Sequence, residues 1–420
     1  ATPITTQNSY IANWTINNIP SECYGKNVIA RKAAIYNATG LIGSETGNFG
    51  NFTFVEEIGV PPQVKITKAF WGDDPETDLI VGKGENASLQ VHVQNCENLN
   101  ENDRKVKITI INSTGGKYEL GNIAINVTTC WANTSVNTSL DFFKERENYS
   151  FNASLVAQPE IWKSSSNLLK IGTVCLCDSC SNCTTKLSDV NCDIVKLTEN
   201  INSQGTCINW PSNNKVFDCQ GLKIKGPGIG GDKYYHGIKM DNKKNNTIKN
   251  CEIEYYYYGI YLDGNSENNV LKNNSLKNNG FGIIFANSNN NKVINNRMNN
   301  NTGGARLFNS SNNIIINNIG KNNLSGIDLF SSNNNSIINN KIGSIFLYEF
   351  SQNNLIINNT VINNKSSGIA LFNSSYNNIS RNNINNNKGN GIDMYNSSYN
   401  NISRNNINNN YYGIFIDAES

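Results

Sequence analysis

Charge is scarce in this sequence. Only 16% of its 420 residues are charged, and the formal net charge is +2. Such a chain has no basic field to recruit nucleic acid and no acidic field to repel it. Long apolar runs are missing too. None approaches the roughly 18 residues that a membrane helix needs, so no membrane span is expected in this chain. Histidine and methionine number two and three, too few for a cluster of copper ligands. The opening ATPITTQNSY has neither a charged n-region nor an apolar h-region, so any signal peptide is expected to have been removed. Solubility is left to uncharged polar groups, chiefly Asn, Ser and Thr.

Cysteine, by contrast, is present eleven times. Sequons for N-glycosylation are frequent: the candidate acceptors are Asn13, Asn37, Asn51, Asn86, Asn126, Asn137, Asn148, Asn152, Asn378 and Asn401. An Asn-rich chain makes such triplets by chance, so those in the less Asn-rich first half carry more weight. Cysteines and sequons together point to an extracellular, oxidising setting at the cell surface. An odd count leaves one thiol free, bonded between chains or paired outside this sequence.

The composition changes near residue 173. Before it, runs such as PPQVKITKAFWG, ASLQVHVQNC, RKVKITIINSTGG and YSFNASLVAQ alternate in period two and are separated by turn residues. Each suits a half-buried strand. Their spacing predicts an immunoglobulin-like β-sandwich over 58–172, with Cys96 and Cys130 ending two strands as disulfide partners. Residues 1–57 offer too few strands (SYIANWTI, NVIARKAAIYN, NFTFVEE) to close a sandwich of their own. Residues 173–206 form a Cys-rich junction expected to cap the C-terminal domain.

From Cys207 a repeat takes over. A Gly-Ile start recurs at Gly237, Gly259, Gly282, Gly304, Gly326, Gly368, Gly391 and Gly413, mostly in steps of 22 or 23 residues. Ser344 to Leu347 replaces the signature in one further unit. Positions one and three after the glycine are apolar, as in Ile283 with Phe285 and Ile392 with Met394; position two varies. Disorder has no reason to hold apolar residues in register. The period fits one turn of a parallel β-helix, predicted over 207–420 with about ten coils and a length of roughly 45 Å. The fold class is therefore all-β: sandwich modules followed by a right-handed parallel β-helix. A recurrent polar position predicts an asparagine ladder of Asn273, Asn296, Asn318, Asn340, Asn358, Asn382 and Asn405, each side chain bonding to the coils above and below.

The stretch TCINWPSNNKVFDCQGLKIKG (206–226), with HGIKMDNKKNNTIKNCEI after it, resembles the NosD-like right-handed parallel β-helix family. The resemblance covers about 185–420. It implies a module common in secreted and surface proteins of prokaryotes, including archaea. The architecture hosts lyases, hydrolases, epimerases, adhesins and copper-site maturation factors, so it is a poor guide to function. With so few His and Met, the family's copper association does not transfer. The first 172 residues resemble immunoglobulin-like surface modules loosely.

Local chemistry is thin. In CLCDSCSNC the thiols Cys175, Cys177, Cys180 and Cys183 could hold zinc or an iron–sulfur cluster, or act in redox. No second ligand pair accompanies them, and disulfides stapling the cap are the better fit in an oxidising compartment. Cys192 and Cys207 are further candidates. Cys219 and Cys251 occupy the ladder position, and bond if no coil lies between them. Asp241 with Asp263, and Arg306 with Asp328, share positions on neighbouring coils and read as surface contacts of little energy. No coil offers two carboxylates and a base, so no catalytic residue, metal or cofactor is assigned. Tyr255–Tyr258 is expected to alternate two inward and two outward.

These features point to a structural or adhesive glycoprotein of the cell exterior. Its expected partner is itself, in a filament or surface array built through the N-terminal strands and the uncapped last coil, GIFIDAES. Glycans are the other expected partner. The alternative is a polysaccharide-binding or polysaccharide-active β-helix protein.

Overall fold

The computed structural model describes residues 63–230, 234–362 and 364–417. Before them it gives the backbone of four short strands: Asn27–Ile29 pairs with Asn51–Thr53, and Ala33–Asn37 with Gly40–Glu45, both antiparallel. Asn13, Cys23, the SYIANWTI strand and the side chains of Asn37 and Asn51 lie outside the described residues.

Two sheets share one core between Lys65 and Gly172. Trp131–Asn137, Asn86–Gln94 and Lys65–Trp71 make the smaller sheet. The larger runs Leu79–Gly82, Leu169–Gly172, Asn148–Leu155, Lys105–Asn112 and Lys117–Ala124, with Trp162–Ser164 added on Asn148–Leu155. Strict alternation in Asn86–Gln94 sends Ala87, Leu89, Val91 and Val93 inward. Trp71 meets Phe151 edge-on at 5.1 Å across the core. Cys96 and Cys130 are bonded.

The rest of the described chain is a parallel β-solenoid of about eleven turns, built from three sheets of eleven, ten and ten strands. The first runs from Val174–Cys177 to Asn401–Ser403, the second from Ile201–Asn202 to Asn406–Asn408, and the third from Ile208–Asn209 to Ile414–Ile416. The stack thus begins at Val174, inside the segment expected as a junction. One coil shows the logic. Lys292–Ile294 turns Val293 inward, Arg297–Asn299 turns Met298 inward, and Gly303–Phe308 turns Ala305 and Leu307 inward. One or two inward residues per short strand fill a narrow core, and each buried Ile or Leu stabilises by about 1.5–3 kcal/mol. No coil could bury these residues alone.

Asparagine pairs turn the corners. In Asn295-Asn296 the first residue takes the left-handed conformation, φ 55°, which Asn tolerates better than most residues. The second is buried. Its N–H donates to Asn318 Oδ1 of the next coil at 2.8 Å, and its Nδ2 donates back to Leu271 O at 2.8 Å. The column at this corner is Asn274, Asn296, Asn318, Asn340, Asn359, Asn382 and Asn405. Asn273 and Asn358 therefore do not belong to the ladder. They are the left-handed residues one place earlier, φ 57° and 55°. The expectation counted from Val270 and Leu355, which face outward; the inward residues are Leu271 and Ile356. A slip of one exchanges the faces of a strand. Two further columns pass through Asn269, Asn291 and Asn313, and through Asn279, Asn301 and Asn323.

Four disulfides cluster at the start of the stack. The helix Cys180–Ser188, N-capped by Ser179, buries Cys183 and Leu187 against the first coils. Bonds Cys175–Cys192, Cys177–Cys183 and Cys180–Cys207 fix it there. Cys219 and Cys251 are bonded as well; their strands Val216–Asp218 and Thr247–Lys249 are direct neighbours, with no coil between. The thiols of CLCDSCSNC are thus consumed in disulfides rather than grouped as metal ligands.

The sandwich rests on the outer face of the first sheet. Lys292 Nζ reaches Asp74 Oδ2 at 2.7 Å and Glu76 Oε2 at 3.0 Å, Lys196 pairs with Glu85, and Arg146 Nη2 donates to Asn191 Oδ1 at 3.2 Å. Beside these contacts a polar cleft of about 820 Å³ separates the two bodies. None of these contacts reaches the third sheet.

Candidate functional site

The outer face of the third sheet gathers the side chains with the most binding chemistry. Its strands follow one rule: glycine, inward, outward, inward, outward. The glycine is demanded by the corner, since a Cβ at Gly259 would lie 2.6 Å from Gly282 O. Because the strands pair in register, each outward position becomes a column along the rod.

Four places after the glycine the column reads Asp241, Asp263, Ala286, Phe308, Phe330, Tyr348, Phe372, Tyr395. From Phe308 onward it is an aromatic ladder. Successive ring centroids are 4.9, 4.7, 5.3 and 5.2 Å apart, with interplanar angles of 22°, 15°, 5° and 4°. The rings lie flat on one another, so solvent meets their edges. Each pair contributes about 0.5–1.5 kcal/mol beyond burial. Sequence reasoning missed this ladder, although five successive coils carry an aromatic at the same position, a signal that the repeat itself displays.

Two places after the glycine stand Lys239, Tyr261, Ile284, Arg306 and Asp328. Arg306 and Asp328 are paired as expected, but not at an exposed surface: Asp328 is 1% accessible. Asp328 Oδ2 accepts from Arg306 Nη2 at 2.8 Å, from Arg306 Nε at 3.1 Å and from Ser325 Oγ at 2.8 Å. Oδ1 is buried without a partner. Burial pushes the Asp328 carboxyl above its ordinary pKa, against the pull of Arg306. The Arg306 guanidinium also lies 4.3 Å from the Phe281 ring centre, a cation–π contact.

The cap-proximal end holds His236, Tyr258 and Tyr261, with His236 5.0 Å from the Tyr261 ring. Tyr261 OH donates to Asp263 Oδ2 at 3.0 Å, and Gly264 N donates to Asp263 Oδ1 at 2.8 Å. Burial, with Lys239 nearby, pushes His236 down to about 4. Burial also pushes Tyr258 and Tyr261 up. At neutral pH the imidazole is uncharged and both phenols are protonated. A base near 4 and acids above 10 are poorly matched to proton transfer at pH 7. The face is equipped to hydrogen-bond and to stack.

Only Tyr256 of the Tyr255–Tyr258 run is fully buried. Tyr255 is exposed, with a left-handed φ of 61°, and Tyr257 and Tyr258 are half-buried. Among the candidate glycosylation sites Asn86, Asn126, Asn137, Asn148 and Asn401 are exposed, whereas Asn152 and Asn378 are half-buried. Asn152 Oδ1 accepts from Ser164 Oγ, and Asn378 Oδ1 is buried without a partner. Five disulfides mark an oxidising, extracytoplasmic compartment.

Residues 212–349 and 344–420 match the family described as right handed beta helix region. No curated protein matches the chain. Several solved structures are similar over part of their length. The Azotobacter vinelandii mannuronan C-5 epimerase AlgE4 A-module is 14% identical over 53% of this chain and 78% of its own, TM-score 0.40. The periplasmic alginate epimerase AlgG is 19% identical over 54% and 70%, TM-score 0.41. PfbA, a surface adhesin of Streptococcus pneumoniae, is 14% identical over 59% and 83%, TM-score 0.41. These are likenesses of fold.

Proposed function

We propose that this right-handed β-helix protein works at the cell exterior by binding polysaccharide along the outer face of its third sheet. One observation carries the reading. The described contacts of the sandwich fall on the first sheet, and along the third Tyr261 and Asp263 of one coil, with Arg306 and Phe308 two coils on, present hydrogen-bonding and aromatic groups. A glycan chain lying across this face meets several such groups. The resemblance to NosD-like surface modules adds an external setting and no chemistry.

The test is binding of the intact protein to a panel of soluble polysaccharides, with reducing ends and chain length followed over time. Binding that weakens at least tenfold in Arg306→Ala, without chain shortening, supports the reading. Absence of binding to every glycan, or cleavage of any, sinks it.

A second reading, a self-assembling or adhesive scaffold, is favoured by the exposed aromatic side chains on the turns after the third sheet. Tyr376 and Tyr399 stack at 5.1 Å while 53% and 78% accessible, as residues of a contact surface do. A monodisperse monomer by light scattering at high concentration would remove it.

A further inference from the structure

The aromatic ladder has a missing rung. It stops at Phe308, and the next place toward the cap is Ala286. Beyond Ala286 the column continues with Asp263 and Asp241. The space between the Phe308 ring and Asp263 is two coil spacings, or about 10 Å. That is the room one further ring would fill at the ladder's own interval.

Among the described residues no ring stacks on the cap-facing side of Phe308. Phe308 is 36% accessible, and its ring stacks with Phe330 on the other side. Arg306 does not close the end: its guanidinium is 5.8 Å from the Phe308 centroid and 5.3 Å from the Phe330 centroid, with the rings 4.9 Å apart. A group lying across the cap-facing side of Phe308 would be far from Phe330, so Arg306 lies beside the Phe308 and Phe330 rings. Its Nε and Nη2 are given to Asp328; Nη1 has no acceptor among the described residues.

We propose that this gap is a sugar subsite that takes one pyranose ring of an uncharged glycan. The proposal rests on the glycan-binding reading and names its ligand class. The axial C–H face of a pyranose carries slight positive charge and lies flat on the negative face of an aromatic ring. Asp263 then receives a sugar hydroxyl, and Arg306 Nη1 donates to a sugar oxygen. The charges exclude an acidic sugar. Arg306 is neutralised by Asp328, and His236 is uncharged. Among the described residues of these columns Lys239 stands against the two carboxylates. A uronate carboxylate placed here meets a net negative surface.

The test uses the intact protein, cellohexaose and mannohexaose as uncharged probes, and polymannuronate and polygalacturonate as acidic ones. Ala286→Phe supplies the missing rung, and Phe308→Ala removes the platform. At least one uncharged probe is expected to bind. Its affinity should fall at least tenfold in both variants, while the melting temperature of Ala286→Phe stays at or above that of the parent. Saturation-transfer NMR on the parent should show one sugar face saturated. Uncharged binding unaffected by Ala286→Phe overturns the subsite but leaves the glycan-binding reading standing. Tighter binding of the polyuronates overturns the ligand class. No binding of any probe removes both proposals.

Discussion

Arg306 and Asp328 face each other across adjacent coils, Nη2 to Oδ2 at 2.8 Å, and the carboxylate is almost wholly enclosed. A buried pair of this kind is strongly destabilised when one partner alone is removed, because the other charge stays buried. Arg306→Ala is expected to cost about 3–5 kcal/mol in chemical denaturation. Arg306→Ala combined with Asp328→Ala is expected to cost less than the single change. A single variant as stable as the parent would show that the pair is solvated.

The corner asparagines separate two roles in adjacent residues. Asn318 accepts the buried N–H of Asn296 and donates to Val293 O, so Asn318→Ala leaves buried groups unsatisfied, at roughly 3 kcal/mol. Asn317 is exposed with a left-handed φ of 58°, so Asn317→Ala costs about 1 kcal/mol in strain. Asn317→Gly should be close to neutral. Equal losses at the two positions by urea denaturation would contradict this division.

The disulfides are concentrated in the first coils, so reduction should act locally. Loss of one such bond costs about 2–4 kcal/mol, felt where coils contact only their neighbours. With reductant, amide exchange should quicken around Leu187 and Phe217 while Ile337 and Ile356 stay protected. Simultaneous loss of protection in all coils would mean that the rod unfolds as one unit.

His236 gives a pH dependence. Its pKa is lowered in the fold to about 4, so the folded state binds the proton less readily than the unfolded chain. The stability it contributes is present above the ordinary value of about 6.5 and is lost as pH falls from there toward 4. His236→Gln should flatten the stability profile in that window. An NMR titration midpoint near 6.5 for His236 would refute it.

Much of the rod was legible because in-register stacking converts a sequence period into spatial neighbours. Ile392 and Met394 are core residues because they repeat, and Arg306 meets Asp328 because they share a position in successive coils. The ladder was misplaced at Asn273 and Asn358 by one residue, since Val270 and Leu355 are apolar yet face outward. Hydrophobicity alone does not distinguish the two faces of a strand whose outer side is also aliphatic.

By itself, then, the sequence determined the coil and its repeat length, because each arises from local alternation or repetition. Only the tertiary structure decided which face is free. Lys292 meets Asp74 across 218 residues of chain, and no shared period links those segments. That contact lays the sandwich on the first sheet and not on the third. The Ala286 position likewise acquires meaning only when Phe308 stands beside it, with Phe330 stacked on its far side.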